Sequence, residues 1–530
     1  MTGWKRLLRG RSFRDLTFVG LVFFLAIAVR AVFLVHYRMI GTDSTYYAHI
    51  ARLFAEGHWQ RALDPYWPPF YPFLVSGVSR LGVSLEASGL FVSLLASAAT
   101  VILCFFLGKL IAGRSVGCIA ACLAVFHPRL IVISQSYLTE PLYMFLSCGA
   151  LVLFCYSSEA VEGREKMGTS GRAAISLGTG ILLGFAFLTR IEGVFYFLFL
   201  LAWSTGYHLW RPPPGKTTTS QAMTKNSLRP WLILLGFALV SSFYTQHVTR
   251  MAGRFTLSEK AEGNFYLAFR SDYQRARIPV EFSNYDSITE PEVPRRYGDY
   301  HVFAFIRRHP DKIIKRIFKN LPRAVLDKIP SLMYWPLFLL SVFGLSFRRK
   351  VPRSRYDRLF AFWILLTVLV YSPLFLFRRF FVGTLPVLIV WCAVGVEELR
   401  QVLPRAIRRA GAALGIALML LIGHISLSSS SRPVLYREAG LWLKEHAEEP
   451  IILSGRKPET SFYAEAEFRP LKAQSKDDLY DFMKEEAITH LVVEDYILPR
   501  SNPELADLID PKNAPPWLKA VYSSDKNGHK

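Results

Sequence analysis

Apolar residues run along this chain in long blocks. Leu16–Val29 and Trp231–Tyr244 are nearly unbroken apolar runs, and short basic linkers separate such runs from one another. About 20 consecutive apolar residues are needed to cross the hydrocarbon core of a bilayer. On that criterion the pattern predicts spans at about 16–38, 86–111, 116–134, 138–156, 173–189, 192–210, 230–249, 330–346, 359–377, 380–396 and 409–427, about eleven in all. The expected fold class is an α-helical polytopic membrane protein. The first apolar run follows Lys5, Arg6, Arg9, Arg11 and Arg14, continues to about Val35 and has no small-x-small cleavage motif after it, so it reads as an uncleaved span.

Two stretches break the pattern. Residues 250–329 form a long, basic connection. Its end, His301–Lys328, sets Phe303, Phe305, Ile306, Ile313, Ile314, Ile317 and Phe318 at helical spacing among Arg307, Arg308, Lys312, Lys315, Arg316 and Lys319. A basic amphipathic helix of this kind suits a membrane surface; an ordinary solvated helix packed on the protein is the alternative. After Leu427 the composition turns polar. Helices at Tyr436–His446 and Lys476–Glu486 alternate with strands at Pro450–Leu453 and Thr489–Glu494, which predicts a small α/β domain over 432–530 acting as a lid or docking module. Residues 1–431 then form the transmembrane domain, with loops 41–85 and 250–329 on one side of it. The Pro212-Pro213-Pro214 stretch with its Thr/Ser run reads as a flexible linker.

The net charge of +22 changes the picture only through its distribution. Most Lys and Arg lie in short linkers: Arg211, Lys216, Lys225 and Arg229; then Arg348, Arg349, Lys350, Arg353, Arg355 and Arg358; then Arg400, Arg405, Arg408 and Arg409. That is the signature of orientation in a membrane and argues against a nucleic-acid partner. These linkers and the N-terminal tail are expected to be cytoplasmic in a multi-pass cell (inner) membrane protein. Loop 41–85 and the C-terminal domain are then extracytoplasmic. The six cysteines all fall in apolar segments, so they read as small buried thiols without a disulfide framework or a metal site.

Several residues on the expected outer side could carry chemistry. Asp43 stands just past the first span in Gly41-Thr42-Asp43-Ser44-Thr45-Tyr46-Tyr47. It is either a general base that takes a proton from an acceptor or the N-cap of a helix over Ser44–Glu56, on which Tyr46 lies. The run Pro65-Tyr66-Trp67-Pro68-Pro69-Phe70-Tyr71-Pro72 follows, a stiff aromatic wall suited to the headgroup level. Glu140 opens a span and either binds a substrate sugar, positions Arg190, or caps its helix. Arg190 and Glu192 share a tight turn, and Arg378 and Arg379 are adjacent. These arginines suit an anionic lipid phosphate, or else snorkel to the interface. Arg30, inside the first span, needs a partner there. The chain lacks a phosphate-binding Gly-x-x-x-x-Gly-Lys-Ser/Thr loop, a His-Glu-x-x-His zinc helix and a Gly-x-Ser-x-Gly elbow.

Taken in order, the segments Gly41-Thr42-Asp43-Ser44-Thr45-Tyr46-Tyr47-Ala48, Pro68-Pro69-Phe70-Tyr71-Pro72, Leu138-Thr139-Glu140-Pro141, Leu188-Thr189-Arg190-Ile191-Glu192-Gly193, Phe377-Arg378-Arg379-Phe380 with Leu385-Pro386, and Gly440-Leu441-Trp442-Leu443 resemble membrane glycosyltransferases of the C-type fold (GT-C). The likeness is to family 39, the group that includes protein O-mannosyltransferases and the lipid A aminoarabinose transferase. The resemblance implies transfer of a sugar, with inversion, from a polyprenyl-phosphate donor to a lipid, protein or cell-envelope polysaccharide acceptor at the outer face. It implies Asp43 as catalytic base, and Glu140, Arg190, Glu192, Arg378, Arg379, Tyr46 and Tyr71 around the donor. A second acid is common in that group near the proline segment; its nearest counterpart here is Asp64, with Glu140 as the alternative. The related metal-dependent oligosaccharyltransferases carry a WWD-type motif that this chain lacks, so neither metal nor cofactor is expected. The competing classes are a transporter or flippase of lipid-linked sugars and an inactive scaffold. A transporter is expected to show internal repeats and broken midplane helices; no repeat is visible in the sequence, and the candidate functional charges lie at one face rather than in the middle.

Overall fold

The computed structural model describes the chain apart from residues 1–10, 162–167, 211–219, 276–301, 350, 352, 355, 429–433, 449, 496–497 and 525–530. The N-terminal basic tail, the Pro212–Pro214 linker and the middle of the 250–329 connection lie outside the described residues. Two compact units emerge. Among the described residues, the first comprises those within 1–36, 50–281 and 298–427, and the second those within 37–49 and 428–530. The expected outer loop 41–85 is therefore divided, its first residues grouping with the C-terminal domain.

The first unit is helical. Among the described residues, seven helices are long and apolar enough to span a membrane: Phe13–His36, Leu85–Ala112, Glu140–Ser158, Thr169–Thr189, Leu228–Ala252, Arg378–Val402 and Arg405–Ser428. Two bent pairs, Arg114–Phe126 with Pro128–Ser134 and Pro310–Met333 with Trp335–Ser346, bend by 52° and 109°; the count reaches nine only if each pair is one broken span rather than a re-entrant loop. The two remaining stretches of the expected eleven are helical but shorter. Gly193–Trp210 has 18 residues and Tyr356–Tyr371 has 16, about 27 and 24 Å at 1.5 Å per residue, against a hydrocarbon core about 30 Å thick.

Close helix packing rests on glycine. A Cβ at Gly180 would stand 2.1 Å from the Ile233 carbonyl oxygen, and one at Gly344 would stand 2.0 Å from that of Trp391. Without a hydrophobic force between helices in lipid, such close approach supplies the van der Waals contact that holds them. The basic amphipathic segment is helical over Val302–Arg308 and Pro310–Arg323, and Phe303, Ile314 and Phe318 are exposed. All six cysteines are free thiols. Four are buried as expected, whereas Cys118 is half-buried and Cys122 is exposed on the helix Arg114–Phe126.

Arg30 finds its partners on the first bent pair. Pro128 has no N–H to donate and the chain turns at His127, so helix Arg114–Phe126 ends with unused carbonyls. Arg30 is fully buried and donates to two of them, Nη2 to Ala124 O at 3.3 Å and Nη1 to Val125 O at 3.4 Å. It also donates Nη1 to Ala26 O at 3.1 Å and Nε to Ser97 Oγ at 2.9 Å. Ser97 in turn donates to Leu130 O at 3.0 Å, across the break.

The second unit carries a parallel sheet of β1 (Ile452–Gly455), β2 (Glu467–Pro470) and β3 (His490–Leu491) in the order β2-β1-β3. Leu443, Ile451, Leu453 and Ala464 form one core cluster, and Leu479, Phe482 and Leu505 belong to another. The sequence pattern missed β2 and the short helix Glu459–Ala464 before it.

Replacing Arg30 with Leu removes the donors to Ala124 and Val125. At about 1–3 kcal/mol for each orphaned buried carbonyl, the expected loss is roughly 2–6 kcal/mol. Unfolding in detergent should show a clearly lowered midpoint; an unchanged midpoint would mean that Arg30 is dispensable to the break.

Candidate functional site

Glu140 is the first residue of helix Glu140–Val161, where the helix dipole favours a carboxylate. Its side chain is only 3% exposed. Arg190, at the end of helix Thr169–Thr189, reaches it from the neighbouring turn: Nη1 donates to Glu140 Oε1 at 3.0 Å and Nη2 to Glu192 Oε1 at 3.0 Å. One guanidinium thus serves two carboxylates, which its planar fork of donors allows. Tyr371 donates its hydroxyl to Glu192 Oε1 at 2.5 Å, and Tyr143 and Phe380 place their rings near Arg190. Burial alone would raise the Glu192 carboxyl, but the Arg190 charge and the Tyr371 hydrogen bond outweigh it and hold Glu192 below the usual carboxylate range. Glu140 Oε2 is buried and makes no hydrogen bond.

Arg379 approaches this cluster from the 3-10 helix Arg378–Thr384. Its Nε lies 3.9 Å from Glu140 Oε1, and the side chain remains about half exposed. Arg378 is exposed and lies within electrostatic reach of Arg129 and of Asp327, which is itself paired with Lys328 at 2.7 Å. Arg129 was not singled out from the sequence. Its Nε is buried without a hydrogen bond, and its guanidinium sits 5.8 Å from the centroid of the Tyr334 ring. A linker arginine looks alike whether it is solvated or waits for an anion, so its sequence carried no signal of this.

The remaining candidates are placed differently. Asp64 is buried and accepts from the backbone N–H of Tyr66 and Trp67 at 2.7 and 3.0 Å, folding the proline-rich run into a turn. Tyr71 is fully buried, its hydroxyl 3.0 Å from Gly89 O and 3.1 Å from Ser93 Oγ. Asp43 and Tyr46 belong to the second unit and are both half-buried. The helix starts at Thr42, so Asp43 lies within its first turn and is not its N-cap. A crevice of about 10 Å³, lined by Tyr143, Glu192, Tyr196, Thr367 and Tyr371 among others, has room for a water and not for a sugar. Among the described residues, no three His, Cys, Asp or Glu side chains gather as a metal site would require.

Comparison with known proteins follows the same lines. The family model for dolichyl-phosphate-mannose-protein mannosyltransferase matches residues 67–241, a third of the chain. A search of curated protein sequences finds no match. Among solved structures, ArnT from Cupriavidus metallidurans bound to undecaprenyl phosphate is similar, with a TM-score of 0.56 and 14% identity over 91% of this chain and 90% of that one. So is the archaeal oligosaccharyltransferase AglB from Archaeoglobus fulgidus in complex with an inhibitory peptide and a dolichol-phosphate, with a TM-score of 0.52 and 13% identity over 91% of this chain and 69% of that one. The chain has the fold of the GT-C membrane glycosyltransferases, and the likeness read from its motifs holds at the level of fold. It is a multi-span membrane protein of that kind.

Changing Arg190 to Gln strands Glu140 and Glu192 in a buried site. Breaking a buried ion pair by removing one partner costs about 3–5 kcal/mol. In the wild type, the depressed Glu192 contributes stability that is present above the ordinary carboxylate pKa and is lost as pH falls through its folded value. In the variant, acid relieves the stranded charge. Thermal unfolding in detergent should therefore show a larger loss at pH 8 than at pH 5, and an equal loss at both would mean that charge pairing is not what Arg190 supplies.

Proposed function

We propose that the protein is an inverting glycosyltransferase that moves a hexose or pentose from a polyprenyl-phosphate donor to a lipid, protein or cell-envelope polysaccharide acceptor. The observation that carries this reading is the likeness over nine-tenths of both chains to a structure holding undecaprenyl phosphate. The fold alone does not choose a donor. The second support is local: Arg129 and Arg378 lie within electrostatic reach of one another in the first unit, Arg379 is adjacent to Arg378 in the chain, and Arg129 has a buried, unused donor. Clustered guanidiniums repel one another, and an anionic phosphate is the ligand that would relieve this.

Arg190 takes a different part. It is committed to Glu140 and Glu192, so its role is to hold that cluster rigid, while Arg378, Arg379 and Arg129 bind the donor phosphate. In the reaction the acceptor oxygen or nitrogen attacks the anomeric carbon from the face opposite the phosphate. The C–O bond to phosphate breaks, its electron pair leaves with the phosphate, and Asp43 takes the acceptor's proton. The arginines offset the charge that develops on the leaving phosphate. The basic linkers are cytoplasmic and the chemistry takes place at the outer face of the inner membrane. Neither metal nor cofactor enters this scheme.

Proteoliposomes supplied with a polyprenyl-phosphate sugar and a mixture of acceptors test the class of activity. Release of polyprenyl phosphate with inverted product is expected; movement of intact donor across the bilayer without cleavage would make the protein a flippase instead.

Asp43→Asn keeps the size of the side chain, so the fold should persist while turnover falls about 10²–10⁴-fold, the usual contribution of general base catalysis. Near-normal turnover in a folded preparation would move the base to Glu140 or Asp64.

Charge-assisted hydrogen bonds are worth about 1.5–3 kcal/mol each, so Arg129→Gln or Arg378→Gln should raise the half-saturating donor concentration roughly 10- to 100-fold. A donor dependence equal to that of the wild type in the double variant would show that both side chains only snorkel.

A further inference from the structure

Three contacts within the second unit tie down the segment that carries Asp43. Ile40 donates its backbone N–H to the Tyr463 hydroxyl at 2.9 Å, and both residues are buried. Thr42 donates its hydroxyl to Glu459 Oε1 at 2.7 Å, and Glu459 is 4% exposed. Arg437 donates from Nη1 to the Arg38 carbonyl at 3.2 Å, while its guanidinium lies 5.7 Å from the centroid of the Tyr463 ring. The ties fall on both sides of Gly41, immediately before Asp43.

Holding this stretch needs a physical cause. The first turn of a helix has backbone donors without intrahelical partners and frays readily. Gly41 adds conformational freedom just outside it, and fixing a residue costs about 1–2 kcal/mol of backbone entropy. An acid in that turn would sample many positions if the turn were left alone. Glu459 and Tyr463 lie four residues apart on the helix Glu459–Ala464, so they share a face. That helix is itself held from behind: a Cβ at Gly440 would stand 2.5 Å from the Thr460 carbonyl oxygen, so helix Leu435–His446 packs directly on its backbone. Burying a carboxylate is costly. Here one oxygen of a buried carboxylate accepts from the threonine before Asp43, a short charge-assisted bond stronger than its neutral equivalent.

We propose that Glu459 and Tyr463 are positioning residues for Asp43, so that the C-terminal domain is a working part of the transferase. The proposal rests on the reading of Asp43 as the base.

The test uses the full-length protein in proteoliposomes and reads kcat and the half-saturating donor concentration separately. Thr42→Val and Glu459→Ala remove the same hydrogen bond from opposite ends, and Tyr463→Phe removes only a hydroxyl. Each should lower kcat about tenfold, the equivalent of about 1.4 kcal/mol, with donor half-saturation changed less than twofold. The pair Thr42→Val with Glu459→Ala should be no worse than either alone. Glu459→Gln, which keeps an acceptor for Thr42, should recover most of the rate. In the Asp43→Asn background, Glu459→Ala should have no further effect. Thr42→Val leaves the C-terminal domain untouched and so guards against simple misfolding of that domain. Wild-type kcat in Thr42→Val and Glu459→Ala, alongside an inactive Asp43→Asn, would overturn the positioning role and leave the base reading intact. A full Glu459→Ala loss on top of Asp43→Asn would overturn it as well. Full turnover by Asp43→Asn would overturn both readings.

Discussion

A backbone carbonyl released inside a membrane has no water to turn to and must find its donor within the protein. Arg30 meets that demand at the break between Arg114–Phe126 and Pro128–Ser134. The cation needs no carboxylate there, because the freed end of a helix already carries partial negative charge. Through Ser97, the same cluster reaches the Leu130 carbonyl beyond the break. What the break makes possible is the placement of Arg129, which begins a new short helix with His127 as its cap, Nδ1 accepting from the Arg129 N–H at 3.2 Å. A straight span would have carried that guanidinium elsewhere.

The arginines of the first unit divide by what already surrounds them. Arg190 is enclosed by two carboxylates and a ring of aromatic side chains, and adding an anion there would set it against existing negative charge. Arg378 and Arg379 remain exposed, and Arg129 keeps an unused donor. Saturation thus separates Arg190, whose donors are taken, from Arg129, which keeps one buried and unused, a distinction that residue type cannot make.

Much of the helical layout is legible in the sequence because apolar blocks long enough to cross a bilayer have few other uses. The requirement that Arg30 find a partner is legible for the same reason, although its partners are carbonyls at a break that only Pro128 hints at. The apolar stretches at 192–210 and 359–377 show the limit of the method: composition reports apolarity, whereas the length of a helix depends on where its neighbours let it end. In the candidate site, the pairing of Glu140 with Arg190 follows from two charges that each need a partner at the edge of a span. The burial of Tyr71 and the turn made by Asp64 do not follow, since an aromatic or an acid in a proline-rich run looks the same whether it faces inward or outward. The strand Glu467–Pro470 was missed because only four residues of mixed polarity mark it.

The ties between Ile40 and Tyr463 and between Thr42 and Glu459 join positions 423 and 417 residues apart. A ribosome makes the first partner of each pair long before the second. Throughout most of synthesis, while one helix after another enters the bilayer, the turn that carries Asp43 lacks the groups that fasten it. It can be fastened only after nearly the whole chain has been made, so the assembly of this turn is a late event in the birth of the protein whatever the order in which the spans pack.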